Sequence, residues 1–165
     1  MTDTPRPLFV YGILCAPELL AMIFREPNEA TSNVAKIRPM LQPATVKGYE
    51  RPSIFRGSGY ALQPAAIASA DPEASIDGYL LTLESTSQRR KLDNLEAEGE
   101  THKCVPVQVH TAADNQSVAA DMYLWNGPME MISPDPWDFA AFVKDGLEYY
   151  LDIFEGLDFD DEDDQ

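Results

Sequence analysis

Leu8-Phe9-Val10-Tyr11-Gly12-Ile13-Leu14 is the stretch on which the fold turns. Its first four residues are a short apolar run closed by a glycine, which predicts a short buried strand. Pro17 suits the first turn of a helix, where its fixed φ is already helical and its missing amide would have had no partner. Glu18-Leu19-Leu20-Ala21-Met22-Ile23-Phe24 has the apolar spacing to continue that helix. A strand that turns sharply at glycine into a helix presents free amides at the turn, and such amides hold a carboxylate or an oxyanion.

Downstream, Glu26–Gln42 is polar, contains Pro27 and Pro39, and is expected to be an irregular loop or insertion. Ala44–Arg51 and Tyr60–Gln63 are predicted strands around the turn Arg56-Gly57-Ser58-Gly59, and Ile76–Leu83 is another. Gly78 inside that third strand marks a bulge or a close approach of two backbones. Ser85-Thr86-Ser87-Gln88 matches a capping box, opening a helix that carries Leu92 and Leu95 and ends near Gly99. Val105, Val107 and Val109 alternate with other residues in a strand period, and Val118–Trp125 follows as a further strand. Asp135-Pro136-Trp137-Asp138 reads as a helix start with Asp135 as the cap. Phe139, Phe142, Val143, Leu147, Tyr150, Leu151 and Phe154 would form its apolar stripe, with Gly156 as terminator. The class is α+β, in one domain without internal repeats.

The chain has 165 residues, a length that suits a single domain and allows a core large enough to need no metal or disulfide. Its 28 acidic and 12 basic residues leave a charge of −16, which repels phosphate backbones and anionic membranes; neither nucleic acid nor membrane is an expected partner. Half of that charge comes from Asp152 onward, where eight acids occur without a base. The division expected is a domain over residues 1–154 and an acidic tail over residues 155–165. The tail is read as disordered or extended and solubilising, with binding of a protein partner as its other role. Cys15 and Cys104 provide no disulfide framework, and usage this sparse fits a reducing compartment. Leu8–Leu14 is too short for a signal core and has no small-x-small site after it, and no stretch is long enough to cross a bilayer. The expected location is the cytoplasm.

Most constellations that carry chemistry are missing from the sequence. His102 and Cys104 would share a strand face, yet nothing completes a metal set, so no metal and no cofactor are expected. Gly57-Ser58-Gly59 has the spacing of neither a nucleophile elbow nor a phosphate loop. Arg89-Arg90-Lys91, the only basic run, is read as a solvated helix face. Leu92-Asp93-Asn94-Leu95-Glu96-Ala97-Glu98-Gly99 is more suggestive. Leu92 and Leu95 fix the buried face and leave Glu96 just past it, where partial desolvation raises a carboxyl pKa. Acids at a helix C-terminus also oppose its dipole, which argues against decoration.

Five segments occur in an order that resembles the γ-glutamylcyclotransferase-like superfamily, particularly its plant avirulence-induced and fungal branches. They are Phe9–Leu14, Pro43-Ala44-Thr45-Val46-Lys47-Gly48-Tyr49, Asp77-Gly78-Tyr79, Leu92–Glu96 and Met122-Tyr123-Leu124-Trp125. The resemblance spans roughly Leu8 to Phe154. It implies a small, closed or nearly closed mixed β-barrel flanked by helices. It further implies that Tyr11, Gly12, Ile13 and Leu14 hold a γ-glutamyl substrate, largely through backbone amides, with Tyr123 lining the pocket. A glutamate following Leu-Asp would act as acid and base while the substrate's α-amine attacks its own γ-carbonyl, forming 5-oxoproline and expelling an amine or peptide. No metal or cofactor enters that reaction.

The chain departs from the family pattern at three places. Ile13 stands where a serine or threonine is usual, Ala97 where a glycine follows the glutamate, and His102-Lys103-Cys104 where Tyr-x-Arg is preferred. The glutamate itself has two readings. From the left, Leu92-Asp93-Asn94-Leu95-Glu96 selects Glu96; from the right, Glu98-Gly99 supplies the missing glycine and selects Glu98. Glu96 is preferred because relatives carry short insertions after the glutamate. Two functions are therefore carried forward: a cyclotransferase acting on a γ-glutamyl amine or peptide, and a catalytically silent relative that binds a small ligand or a protein.

Overall fold

The computed structural model describes residues 5–26, 33–54, 64–97 and 102–155, the side chains of residues 96 and 97 excepted. The opening apolar run is strand β1 (Leu8–Val10), buried along its whole length. After it come β2 (Leu41–Lys47), β3 (Tyr49–Glu50), β4 (Pro52–Ile54), β5 (Ile67–Ala68), β6 (Ser75–Leu81), β7 (His102–Thr111), β8 (Ser117–Trp125) and β9 (Ile132–Pro136). The helices are α1 (Pro17–Ile23), α2 (Val34–Ile37), α3 (Thr86–Ala97), α4 (Phe139–Asp145) and α5 (Leu147–Glu155).

Five strands close a barrel in the order β1-β6-β2-β7-β8, and β8 returns to β1. Every pairing is antiparallel except β1 with β8, which is parallel with Leu8 opposite Asp121. Strand alternation then sorts the side chains between two cores. Phe9, Val46, Ile76, Leu80, Val109 and Met122 fill the barrel. Leu8, Val10, Leu81 and Tyr123 face outward and are covered by Leu19, Leu20, Leu92, Phe142, Tyr150 and Phe154 from the helices.

Gly78 is a close approach and not a bulge, since β6 runs against β2 without a break from Ser75 to Leu81. A Cβ at residue 78 would sit 2.3 Å from the Val10 carbonyl oxygen and 2.9 Å from the Phe9 ring. The space a side chain would take on β6 is thus occupied by β1. Pro106 lies in the part of β7 that has only β8 beside it, the edge position that suits a proline lacking an amide hydrogen.

Several boundaries differ from the sequence reading. The predicted strand Ala44–Arg51 breaks at Gly48, whose φ of +89° lies in the left-handed region and turns the chain from β2 into β3. The expected loop Glu26–Gln42 contains α2 and a 3-10 turn over Arg38–Met40, because Ile37 and Met40 pack into the outer core. Asp135 does not cap a helix. Pro136 pairs with Pro52 in a two-stranded sheet and the Trp137 amide donates to the Arg51 carbonyl, which keeps the chain extended until Asp138 caps α4 at Ala140. The single C-terminal helix is two, divided at Gly146, where an added Cβ would be 2.9 Å from the Phe142 ring. The capping box is shifted by one residue: Ser85 accepts from the Gln88 amide as expected, but Gln88 reaches back to the Glu84 amide. Tyr60–Gln63, the Arg56–Gly59 turn, Gly156 and residues 156–165 lie outside the described residues, while Glu155 closes α5.

Gly78→Ala is expected to cost about 2–3 kcal/mol of folding stability, the scale of a methyl forced into a filled core. Urea denaturation of the two proteins measures it.

Candidate active site

After Val10 the chain reaches the barrel rim, and Gly12 admits Pro64, whose ring would lie 2.8 Å from any Cβ there. Ile13–Cys15 then form one 3-10 turn, with the Cys15 amide on the Gly12 carbonyl and the Ala16 amide on the Ile13 carbonyl. The first amides of any helical turn have no partner within it. Among the described residues, none accepts a hydrogen bond from the amides of Gly12, Ile13 or Leu14. Cys15 closes the turn on its inner side, its thiol donating to the Val10 carbonyl at 3.4 Å. Burial pushes that thiol's pKa up to about 12, against a smaller opposing effect of the Arg51 charge.

A pocket opens against this turn, at the end of the barrel where β1 and β8 finish and β7 begins. Its wall is Phe9–Leu14, Pro64, His102 and Tyr123, and its volume of about 30 Å³ is room for about two waters. The Tyr11 hydroxyl donates to the Tyr123 carbonyl at 2.5 Å, tying the loop to β8. The Tyr123 side chain points the other way, and its hydroxyl donates to the Asp93 carboxylate of α3 at 2.6 Å. The contiguous turn of Tyr11, Gly12, Ile13 and Leu14 and the distant Tyr123 therefore meet at one pocket.

The helix end that carries Glu96 is anchored by charge. Arg89 donates from Nε to Asp93 at 3.0 Å and from a terminal nitrogen to Asp121 at 2.8 Å, with its side chain only 15% exposed. Burial alone would lower the guanidinium pKa, but the hydrogen bonds from Asp93 and Asp121 outweigh it and hold Arg89 above the ordinary arginine range. Its other terminal nitrogen lies 3.1 Å from the Cys104 sulfur, and Asp121 also accepts from Arg6 at 3.0 Å. The expectation of a solvated basic face holds only for Arg90: Arg89 is an ion-paired bridge from α3 to β8, and Lys91 is buried. The reason is that Asp121, on the outward face of β8, is also nearly covered and requires a cation.

Among the described residues Asp93 is the carboxylate of the helix motif that reaches the pocket wall, through the Tyr123 hydroxyl. Its spacing of four residues from Arg89 was the available signal. His102 shares a face with Cys104 as read, and it packs edge-on to Trp125 at 5.6 Å on the pocket side. Among the described residues no group of three or more His, Cys, Asp or Glu could hold a metal, and none of their helices is long and apolar enough to cross a membrane. Glu96 belongs to α3, with its side chain outside the described atoms, and Glu98 lies outside the described residues.

A small mixed barrel with outer helices and a glycine turn at its rim is the γ-glutamylcyclotransferase-like architecture, and solved structures share it. A protein of Arabidopsis thaliana solved in solution superimposes with a TM-score of 0.58 at 19% identity, over 90% of this chain and 87% of that one. A second Arabidopsis thaliana protein gives 0.58 at 23%, over 94% and 83%. A structure described as gamma-glutamyl cyclotransferase gives 0.54 at 14%, over 97% and 92%. At these identities the likeness is one of fold. No curated protein sequence matches the chain. The profile of the family described as gamma-glutamyl cyclotransferase, AIG2-like, matches residues 8–139, and the chain belongs to that family.

Two outcomes follow from this geometry. Arg89→Met removes the shared cation of two partly covered carboxylates, which keep Arg6 and the Tyr123 hydroxyl as partners, so it is expected to lower stability by about 1–3 kcal/mol, between the values for exposed and buried pairs. Arg89→Met with Asp93→Asn should cost less than the sum of the two alone, which a double-mutant cycle by chemical denaturation reads directly. For Cys15, the unfolded thiol ionises near its ordinary value of 9.0 and the folded one only at about 12. The unfolded chain therefore releases a proton first, and stability is lost as pH rises through that window. Cys15→Ala should show a shallower decline between pH 9 and 12 in the same titration.

Proposed function

We propose that the protein is a γ-glutamyl cyclotransferase, converting a γ-glutamyl amine or peptide to 5-oxoproline with release of the amine. The observation that carries this reading is the pocket that joins the Tyr11–Leu14 turn to Tyr123, with the α3 motif bound to its wall through Asp93. The amides of Gly12, Ile13 and Leu14 would serve the oxygen of the γ-carbonyl as negative charge develops on it. The Tyr123 hydroxyl, donating to Asp93 on the outer face, holds α3 against the strand that walls the pocket.

Glu96, at the end of α3, is assigned the proton transfers. It takes a proton from the α-ammonium, and the freed amine attacks the γ-carbonyl carbon to close a five-membered ring. The bond from that carbon to the leaving nitrogen then breaks as Glu96 returns its proton to that nitrogen, and the second proton left on the ring nitrogen passes to the departing amine, which leaves as an ammonium. No water, metal or oxidant enters the balance. Because nucleophile and electrophile belong to one molecule, holding the folded-back conformation can supply much of the acceleration. Ile13 offers no hydroxyl, so this turn works through its backbone. A volume of about 30 Å³ requires the mouth to widen as the γ-glutamyl group enters.

That small volume favours a second reading, a catalytically inactive member that binds a small ligand or a protein. The two separate on an assay of 5-oxoproline release across γ-glutamyl peptides and γ-glutamyl amines. Under the first reading Glu96→Gln lowers kcat by about 10²–10⁴-fold, the usual contribution of a general acid-base, and Glu98→Gln leaves it near wild type. The reverse pattern would move the role to Glu98. Activity indifferent to both substitutions refutes the mechanism, and no release from any substrate favours the inactive reading.

A further inference from the structure

Arg51, between β3 and β4, spends one guanidinium nitrogen on two backbone oxygens: the Tyr11 carbonyl at 3.0 Å and the Asp77 carbonyl at 2.7 Å. Its charge sits over the Trp137 ring, 5.4 Å from the centroid. The Trp137 amide in turn donates to the carbonyl of Arg51 itself at 3.1 Å. The arginine is thus held at its backbone and over its cationic face, while its fork reaches across to the pocket turn.

The Tyr11 carbonyl and the Gly12 amide are two ends of one planar trans peptide. In such a unit C=O and N–H point in opposite directions, so fastening the carbonyl to Arg51 aims the Gly12 hydrogen away from Arg51. Gly12 lines the pocket, and its amide donates to no described residue. A cation on the carbonyl oxygen also draws electron density through the amide, which makes the N–H a stronger donor.

We infer that Arg51 is a positioning residue, which orients the Tyr11–Gly12 peptide so that the Gly12 amide serves a carbonyl or carboxylate oxygen in the pocket. Nothing in the sequence pattern points to it, because Arg51 is 40 residues from Tyr11. Its effect on turnover rests on the cyclotransferase reading; the orientation of the peptide does not.

Selective ¹⁵N-glycine labelling provides the test. In Arg51→Gln the amide resonances of Gly12 and Gly78, whose peptides each lose a charged partner, are expected to shift while Gly127 stays. Arg51→Lys should give smaller but measurable shifts, since an ammonium keeps the charge but not the planar geometry that serves both oxygens and lies over Trp137. On the γ-glutamyl compound most active with wild type, Arg51→Gln should lower kcat by about 10–100-fold, the scale of a misaimed oxyanion donor, with KM changed less than about threefold. Arg51→Lys should restore part of that loss. A Gly12 resonance that does not move, or a loss confined to KM, overturns the inference. If wild type releases no 5-oxoproline, the functional reading fails and the Gly12 shift alone decides the role of Arg51. If Arg51→Gln does not fold by circular dichroism, Arg51→Lys decides through the same resonances, and an unmoved Gly12 there overturns it.

Discussion

The barrel depends on how closely β1 can approach β6. β1 has three residues and must serve two neighbours, β6 on one side and β8 on the other. It fits because Gly78 has no side chain: the Val10 carbonyl and the Phe9 ring take that space. Phe9 is then fully buried inside the barrel, a gain of about 1.5–3 kcal/mol for a side chain of this size. With Phe9 seated, Tyr11 follows on the interior face and Val10 on the outer one, so the strand delivers Gly12 to the rim. The pocket turn is in this sense a consequence of one missing methyl group on the neighbouring strand.

The same alternation links the interior to the outer helices. Tyr11 and Tyr123 belong to opposite faces of the barrel wall, yet the hydroxyl of one meets the backbone of the other. From Tyr123 the connection runs to Asp93, from Asp93 to Arg89, and from Arg89 to Asp121 on the same strand as Tyr123. α3 is thereby pinned to β8 at two places, which sets where its C-terminal residues fall relative to the pocket. On the opposite side of the turn Arg51 holds the Tyr11 carbonyl. Charged side chains thus bind both sides of the candidate site, in addition to the apolar packing of Ile13, Leu14 and Leu92.

What could be read in the sequence was local. Pro17 at the first turn of α1, the strands β7 and β8, and Ser85 at the start of α3 each depend on neighbours within a few residues. Gly78 was legible as an exception inside a strand. The misreadings share a different cause. Asp135-Pro136 has the composition of a helix start, but pairing of Pro136 with Pro52 held it extended. The stripe from Phe139 to Phe154 has a single period, yet Gly146 packed on Phe142 divides it. Arg89 looks solvent-facing on a helical wheel until Asp121, 32 positions away, is placed beside it.

The sequence by itself determined the class of fold and the family, and it marked the glycine turn that lines the pocket, because apolar period, glycine and proline act over short range and motif order survives in the chain. Tertiary structure decided which charges are partnered and which backbone amides have acceptors. Those properties depend on distances between residues 30 to 115 positions apart, as with Tyr123 and Asp93 or Arg6 and Asp121. Electrostatic and hydrogen-bond energies fall steeply with such distances. A linear pattern carries no measure of them until the barrel has closed.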